Sequence, residues 1–302
     1  MRIQILLITL LLLIFSGSAA AQGCSDAGFC SLSAFHSSQP AKKQTKNELL
    51  LSYTYSTHLK NERFYQPQLN YKRFTKNESF FEFRLPFNTA KDKFNNISNS
   101  GIGDLTTTFN GRFKIKNKVV DYSAGLRISL SDASDEMKNS AVSLPMFLQS
   151  GLGTTDLLAI VNYHVSKYFG IGTGLQAPLF QYNRNQIILS GNQMIISAEG
   201  FRRKPDALLK LTGNYNFWKL QFTGALLGIY HLGNDHYNSM QGKYILAGSE
   251  GTTLNFSIET SYEIGKNCRL SFLFAEPFKT RSNIPDGLAR SKVFNPKLSF
   301  NF

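Results

Sequence analysis

From Asn47 onward, apolar and polar residues alternate along segments of about ten residues, the period of a strand with one greasy and one wet face. Leu105, Thr107, Phe109, Gly111 and Phe113 share a face, and Asp104, Thr106, Thr108, Asn110, Arg112 and Lys114 stand between them. Phe81, Phe83, Leu85 and Phe87 alternate with Glu82 and Arg84, and Leu254, Phe256, Ile258 and Tyr262 with Asn255, Ser257, Glu259 and Glu263. Twelve such segments follow one another: 47–58, 63–75, 78–87, 102–115, 118–130, 152–165, 168–181, 206–217, 219–231, 252–264, 268–279 and 293–302. Apart from the short first connection, Leu59 to Glu62, the connections alternate. Lys76-Asn77, Lys116-Asn117, Ser166-Lys167, Trp218 and Gly265-Lys266-Asn267 are short, whereas 88–101, 131–151, 182–205, 232–251 and 280–292 are long and polar. An even number of strands, with short turns at one end and long loops at the other, predicts an all-β, antiparallel up-and-down transmembrane barrel of about 12 strands. A secreted β-sandwich would need a sealed core face and a polar outer face, and it accounts for neither this asymmetry nor the aromatic last strand.

Residues 1–21 form the expected signal peptide: Arg2, an apolar run from Ile5 to Phe15, and Ala19-Ala20-Ala21 before the cut. The run is too short to span a bilayer. A 22–46 periplasmic segment then precedes a 47–302 outer-membrane barrel. Lipidation of Cys24 is the weaker alternative, because Ala21 is a poor match to the position usually held by Leu. Export predicts a local disulfide between Cys24 and Cys30, with Cys268 either pairing with one of them or remaining a thiol. Cys24, Cys30 and His36 lack a fourth ligand, so no metal is expected, and no cofactor either.

The composition fits this reading. There are 25 Phe, 13 Tyr and 23 Gly, and the mean hydropathy of −0.19 excludes a bundle of membrane-spanning helices. Tyr163, Tyr168, Phe169, Phe217, Trp218 and Tyr262 sit near the short turns, as expected of an interfacial aromatic girdle. The last segment, with Leu298, Phe300 and Phe302, resembles the C-terminal signal that the barrel-assembly machinery reads at the outer membrane. The net charge is +13. Lys91, Lys93, Arg202, Arg203, Lys204, Arg281, Arg290 and Lys292 fall in the long loops, suited to lipid and lipopolysaccharide phosphates, and export leaves no route to nucleic acid.

Gly101-Ile-Gly-Asp104, Gly151-Leu-Gly-Thr-Thr-Asp156 and Pro205-Asp206 each open a strand that leaves a long loop, 52 and 50 residues apart. These strand starts, the leader, the Cys24-Ser-Asp-Ala-Gly-Phe-Cys30 opening and the aromatic terminus resemble exported barrels of Bacteroidota. Among them the chain is most similar to the transporter-like family named for a phenol-degradation (MetA) pathway, in the style of fatty-acid and hydrocarbon channels. The resemblance implies passage of small hydrophobic compounds.

On the wet face, Lys72, Glu82, Arg84, Asp104, Arg112, Asp121, Arg127, Asp156, Lys210, Glu259, Glu263, Arg269 and Lys297 are expected to face the lumen. Charges across a narrow barrel pair with one another. Hairpin symmetry predicts an Arg84, Asp104, Arg127 cluster near the outer mouth, with Arg112 in the same lumen charge set and Asp156 and Asp206 either extending an acidic rim or serving as turn residues. Such pairs either fill the lumen and fix register or act in selectivity. Leu158, Ile160, Leu227 and Ile229 have lumen parity and are the candidates for an apolar pocket. His164-Val165-Ser166 has the spacing of a lipid-hydrolase pair, but it lies beside a short turn with His164 on the lumen parity, whereas a phospholipid-facing site needs both side chains on the outer wall and a partner to orient the histidine, so no catalytic residues are expected. His231 and His236 read as solvated loop histidines. The expected function is a channel for passive uptake of small hydrophobic or aromatic solutes. The alternative is a sealed structural or adhesive barrel whose loops bind a partner, and an apolar pocket reaching a lateral gap would separate the two.

Overall fold

The computed structural model describes residues 46–57, 62–75, 79–92, 96–137, 142–191, 194–240, 242–285 and 291–302, and for 188–197 the backbone only. The leader, Cys24, Cys30 and His36 lie outside the described residues.

The alternating segments become strands almost one for one. They are β1 (Asn47–Thr57), β2 (Glu62–Phe74), β3 (Phe80–Asp92), β4 (Ile97–Ile102), β5 (Leu105–Ile115), β6 (Lys118–Ile128), β7 (Thr154–His164), β8 (Phe169–Gln181), β9 (Gln186–Gly191), β10 (Met194–Arg202), β11 (Asp206–Phe217), β12 (Leu220–His231), β13 (His236–Ser239), β14 (Gly242–Ile245), β15 (Gly251–Glu263), β16 (Cys268–Lys279) and β17 (Val293–Asn301). All pairings are antiparallel. Twelve strands run in the order β2-β1-β17-β16-β15-β12-β11-β8-β7-β6-β5-β3, and the β2–β3 pairing closes the barrel. Closure leaves no edge with unpaired backbone facing lipid.

The face assignment follows from the side chains. Leu51, Tyr53, Leu69, Phe81, Phe83, Leu85, Phe87, Leu226 and Phe272 are exposed on the outer wall, and their polar neighbours Ser52, Asn70, Glu82 and Arg84 are buried inside. Tyr163, Tyr168, Phe169, Phe217 and Trp218 are exposed together near the short turns.

The long connections are more structured than their polarity suggests. Strand β3 continues to Asp92 and pairs with β4, so most of 88–101 is a hairpin standing above the wall. The connections 182–205 and 232–251 supply a separate four-stranded sheet, β14-β13-β10-β9. Loop 129–153 contains a single turn of 3-10 helix, Met146–Leu148, and folds into the mouth. There Leu144 and Leu148 pack on Phe64 and Ala90, which have lumen parity on β2 and β3. Beside them Ala133, Met146, Leu152, Ala198, Phe201 and Tyr237 form a second apolar cluster. Buried amides satisfy the irregular backbone: Asn185 Nδ2 donates to the Ala133 and Leu144 carbonyls, and Asn183 Nδ2 to that of Leu152. These loops therefore form a packed cap.

Candidate functional site

Register places a belt of buried charge beneath the cap. Arg127 lies opposite Asp156 across β6 and β7, and Asp206 lies between Gln176 of β8 and His231 of β12. The bulge at Thr155/Asp156, opposite Pro178, turns Asp156 inward. Asp104 follows Gly103 at the break between β4 and β5. A Cβ on Gly103 would come within 2.4 Å of the Asn88 amide nitrogen and 2.9 Å of Pro86 Cγ, so glycine is required for this approach.

The Arg127 guanidinium reaches Asp156 through Nη2 and lies 3.7 Å from Asp104 through Nε. Ser129 Oγ donates to Asp104 at 2.5 Å, and Gln176 Nε2 donates to Asp156. Arg203 bridges Asp156 at 3.3 Å and Asp206 at 2.5 Å. His231 follows, with Nδ1 2.6 Å from Asp206 and Nε2 2.8 Å from Asp235. Both ring nitrogens face carboxylate oxygens, an arrangement in which an imidazolium donates from both. Asp235 also accepts from the Lys204 amide at 2.8 Å, so the belt is fastened to the cap. Four carboxylates alternate with two guanidiniums and one imidazolium, and the arrangement has the geometry of a latch rather than of a reaction centre.

The expected cluster is partly redrawn. Arg127 and Asp104 meet, but register sets Arg84 opposite Thr106, where Glu82 holds it through two hydrogen bonds of 2.9 and 3.0 Å. The hairpin pairs Phe87 with Ile102 above the break at Gly103-Asp104 and Arg84 with Thr106 below it, a one-residue offset that carries Arg84 further from Asp104. Arg112 belongs to a second group lower in the barrel, paired with Asp121 at 2.6 Å. His164 joins that group at 2.8 Å from Asp121, on the lumen side. Ser166 Oγ instead accepts from the Tyr168 and Phe169 amides and closes the turn.

His231 is 1% exposed rather than solvated. Arg203 and Arg281 are buried rather than turned toward lipid. Asp235 carried no sequence signal, whereas Asp104, Asp156 and Asp206 are the three acids of the internal repeat. Leu158, Ile160, Leu227 and Ile229 all face inward and are buried, with Leu208 beside them. Cys268 is in no disulfide among the described residues.

A second feature lies in the wall. Pro86 of β3, Pro67 of β2 and Pro296 of β17 fall within a span of four neighbouring strands, and a proline has no N–H to give to a ladder. The β2–β3 register is interrupted at Gln66-Pro67 against Phe87-Asn88, and the β1–β17 register at Tyr53-Thr54 against Asn295-Pro296. Side chains span both gaps: Gln66 Nε2 donates to Asn88 Oδ1 at 2.7 Å and Asn295 Nδ2 to Thr54 Oγ1 at 2.8 Å. The result is an apolar groove of about 590 Å³. Membrane-facing Leu51, Tyr53, Leu69 and Phe87 line it together with lumen-parity Ser52, Gln68 and Lys297.

No family model matches the chain, and no curated protein matches it in sequence. Among solved structures, the COG4313 outer membrane channel from Pseudomonas putida F1 superposes with a TM-score of 0.62 at 12% identity, covering 87% of this chain and 97% of that one. The fold is that of an outer-membrane barrel. Looser likenesses are found to the translocator domain of autotransporter NalP from Neisseria meningitidis, with a TM-score of 0.48 at 10% identity over 87% and 91% of the chains. The Pseudomonas putida toluene transporter TodX gives 0.44 at 13% over 94% and 96%. These two add nothing to the fold assignment.

Proposed function

We propose that this barrel is a channel for passive movement of small hydrophobic solutes between the outer-membrane interior and its own lumen. The groove carries this reading. An apolar recess in the membrane-facing wall at two ladder interruptions is a low-cost place for a lipophilic molecule to leave or enter the bilayer. The cap and the charge belt stand across the axial route at the loop end, which disfavours a wide aqueous pore. The gradient drives movement, and no chemical step is involved. The reading includes export by the 1–21 leader, insertion by the barrel-assembly machinery, and remaining loop cations such as Lys91 and Lys292 against lipopolysaccharide phosphates.

The test is uptake of radiolabelled naphthalene by cells displaying the full chain, compared with the triple variant Pro67→Val, Pro86→Val, Pro296→Val, which restores three ladder donors. Uptake should exceed that of cells without the protein and fall several-fold in the variant. Equal uptake in all three would overturn the proposal. A sealed adhesive barrel remains the second reading, favoured by the packed cap, and it requires uptake at background level.

A further inference from the structure

The short-turn end of the barrel carries a band of exposed cations. Lys114, Lys116 and Lys118 stand at the β5–β6 turn, Lys167 at β7–β8, Lys219 at β11–β12 and Lys266 at β15–β16. These turns follow one another round the wall, in the strand order β16-β15-β12-β11-β8-β7-β6-β5. Acids at this end are already engaged: Glu48 pairs with Lys72 at 2.8 Å, Asp121 with Arg112 at 2.6 Å and Glu263 with Arg269 at 3.3 Å. Among the described residues, Lys114, Lys116, Lys118, Lys167 and Lys219 are in no ion pair.

The ammonium groups are held at the level of the aromatic girdle. Lys167 Nζ lies 4.8 Å from the Tyr168 ring centroid and Lys219 Nζ 5.3 Å from that of Trp218. Lys118 Nζ donates to the Val165 carbonyl at 2.6 Å, which ties the first turn to the second. Tyr168 and Trp218 are exposed, so both pairs are open to their surroundings. The turns are not built for least strain. Lys116 and Trp218 both have φ +54°, the left-handed region where glycine or asparagine is the default, so a cation and an indole stand where turn geometry alone favours neither. Interfacial tyrosine and tryptophan sit among lipid headgroups. A lysine beside such a ring lays its methylene stem on the apolar wall and brings its charge to the phosphates.

We infer that this end of the barrel is a docking surface for anionic phospholipid headgroups, those of the phosphatidylglycerol type, in the leaflet that faces the short turns. Phosphate oxygens accept from Lys118, Lys167 and Lys219, whose charges no described acid neutralises, and Lys116 and Lys266 extend the band along the turns. A zwitterionic headgroup carries its own cation beside the phosphate and gains less. The contact sets the depth at which the barrel sits in the bilayer. It holds whether or not the lumen passes a solute, because it needs only a barrel seated in a membrane.

The chain's one tryptophan, Trp218, lies within the band and reports on the lipid there. The experiment places the full chain, purified from outer membranes, in phosphatidylcholine vesicles and titrates its fluorescence with phosphatidylglycerol or phosphatidylcholine, each brominated at the same acyl carbons near the headgroup. At low salt phosphatidylglycerol should be favoured at least about three-fold, since one lysine at an anionic surface contributes up to about five-fold. The preference should disappear at about 1 M salt, where the screening length is about 3 Å. It should also disappear in the variant Lys118→Gln, Lys167→Gln, Lys219→Gln. Comparing two lipids within each protein removes the effect of losing the Lys219 contact on the indole itself. The variant Lys243→Gln, Lys279→Gln changes two exposed cations at the long-loop end and should leave the preference unchanged, because they lie beyond a screening length from Trp218. Equal quenching by the two lipids, a preference that survives high salt or the triple variant, or an equal loss in the long-loop variant would overturn the inference. The last result would assign the effect to net charge rather than to this surface.

Discussion

Replacing Arg203 with methionine should cost the barrel about 3 kcal/mol. The side chain is 0% exposed and bonds Asp206 at 2.5 Å and Asp156 at 3.3 Å, so its removal strands two buried carboxylates. Removing one partner of a buried ion pair costs about 3–5 kcal/mol. The lower end applies here because each acid keeps other partners, Asp156 the Arg127 and Gln176 side chains and Asp206 the His231 ring. The assay is equilibrium unfolding in detergent micelles, read through Trp218. That residue is the chain's one tryptophan and is 80% exposed at a short turn, so the mutation does not touch the reporter. An Arg203→Met, Asp206→Asn cycle should show a coupling of about 1.5 kcal/mol, since the second change removes one of the charges that the first leaves exposed to repulsion. A loss below about 0.5 kcal/mol, or additive single effects, would show that the belt is not a coupled network and refute the latch.

Two further outcomes bear on the cap. Gly153, at φ +65°, would place an alanine Cβ 2.7 Å from Asn183 Cα, so Gly153→Ala should cost about 2 kcal/mol or more and open the cap to limited proteolysis, and unchanged resistance would refute the close approach. His236 on β13 is held below its usual 6.5 by desolvation and then by Lys243, Lys204 and Arg202. Its neutral form therefore favours the folded cap above 6.5, and that contribution is lost as the pH falls through 6.5 toward the folded midpoint. A histidine NMR titration should give a midpoint under 6.5, and a midpoint above it would contradict the cationic surroundings.

The number of barrel strands and the assignment of inner and outer faces were legible in the sequence alone, whereas the run of β3 to Asp92 and the strands within the long loops were not. A barrel wall is read by a two-residue period, and every lumen residue has a lipid-facing neighbour to contrast with it. The repeated Asp104, Asp156 and Asp206 marked one level of the barrel because each opens a strand leaving a long loop. The partners of those acids were decided only in three dimensions. Arg203 and Asp235 lie in connections with no period, and their burial depends on how the cap folds back. Arg84 is held by Glu82 of its own strand, and the break at Gly103-Asp104 shifts the hairpin by one residue, a displacement invisible to counting. The groove is likewise tertiary. Pro67 and Pro86 belong to one hairpin, but Pro296 lies near the other end of the chain, and only closure of β17 on β1 brings its missing donor near theirs.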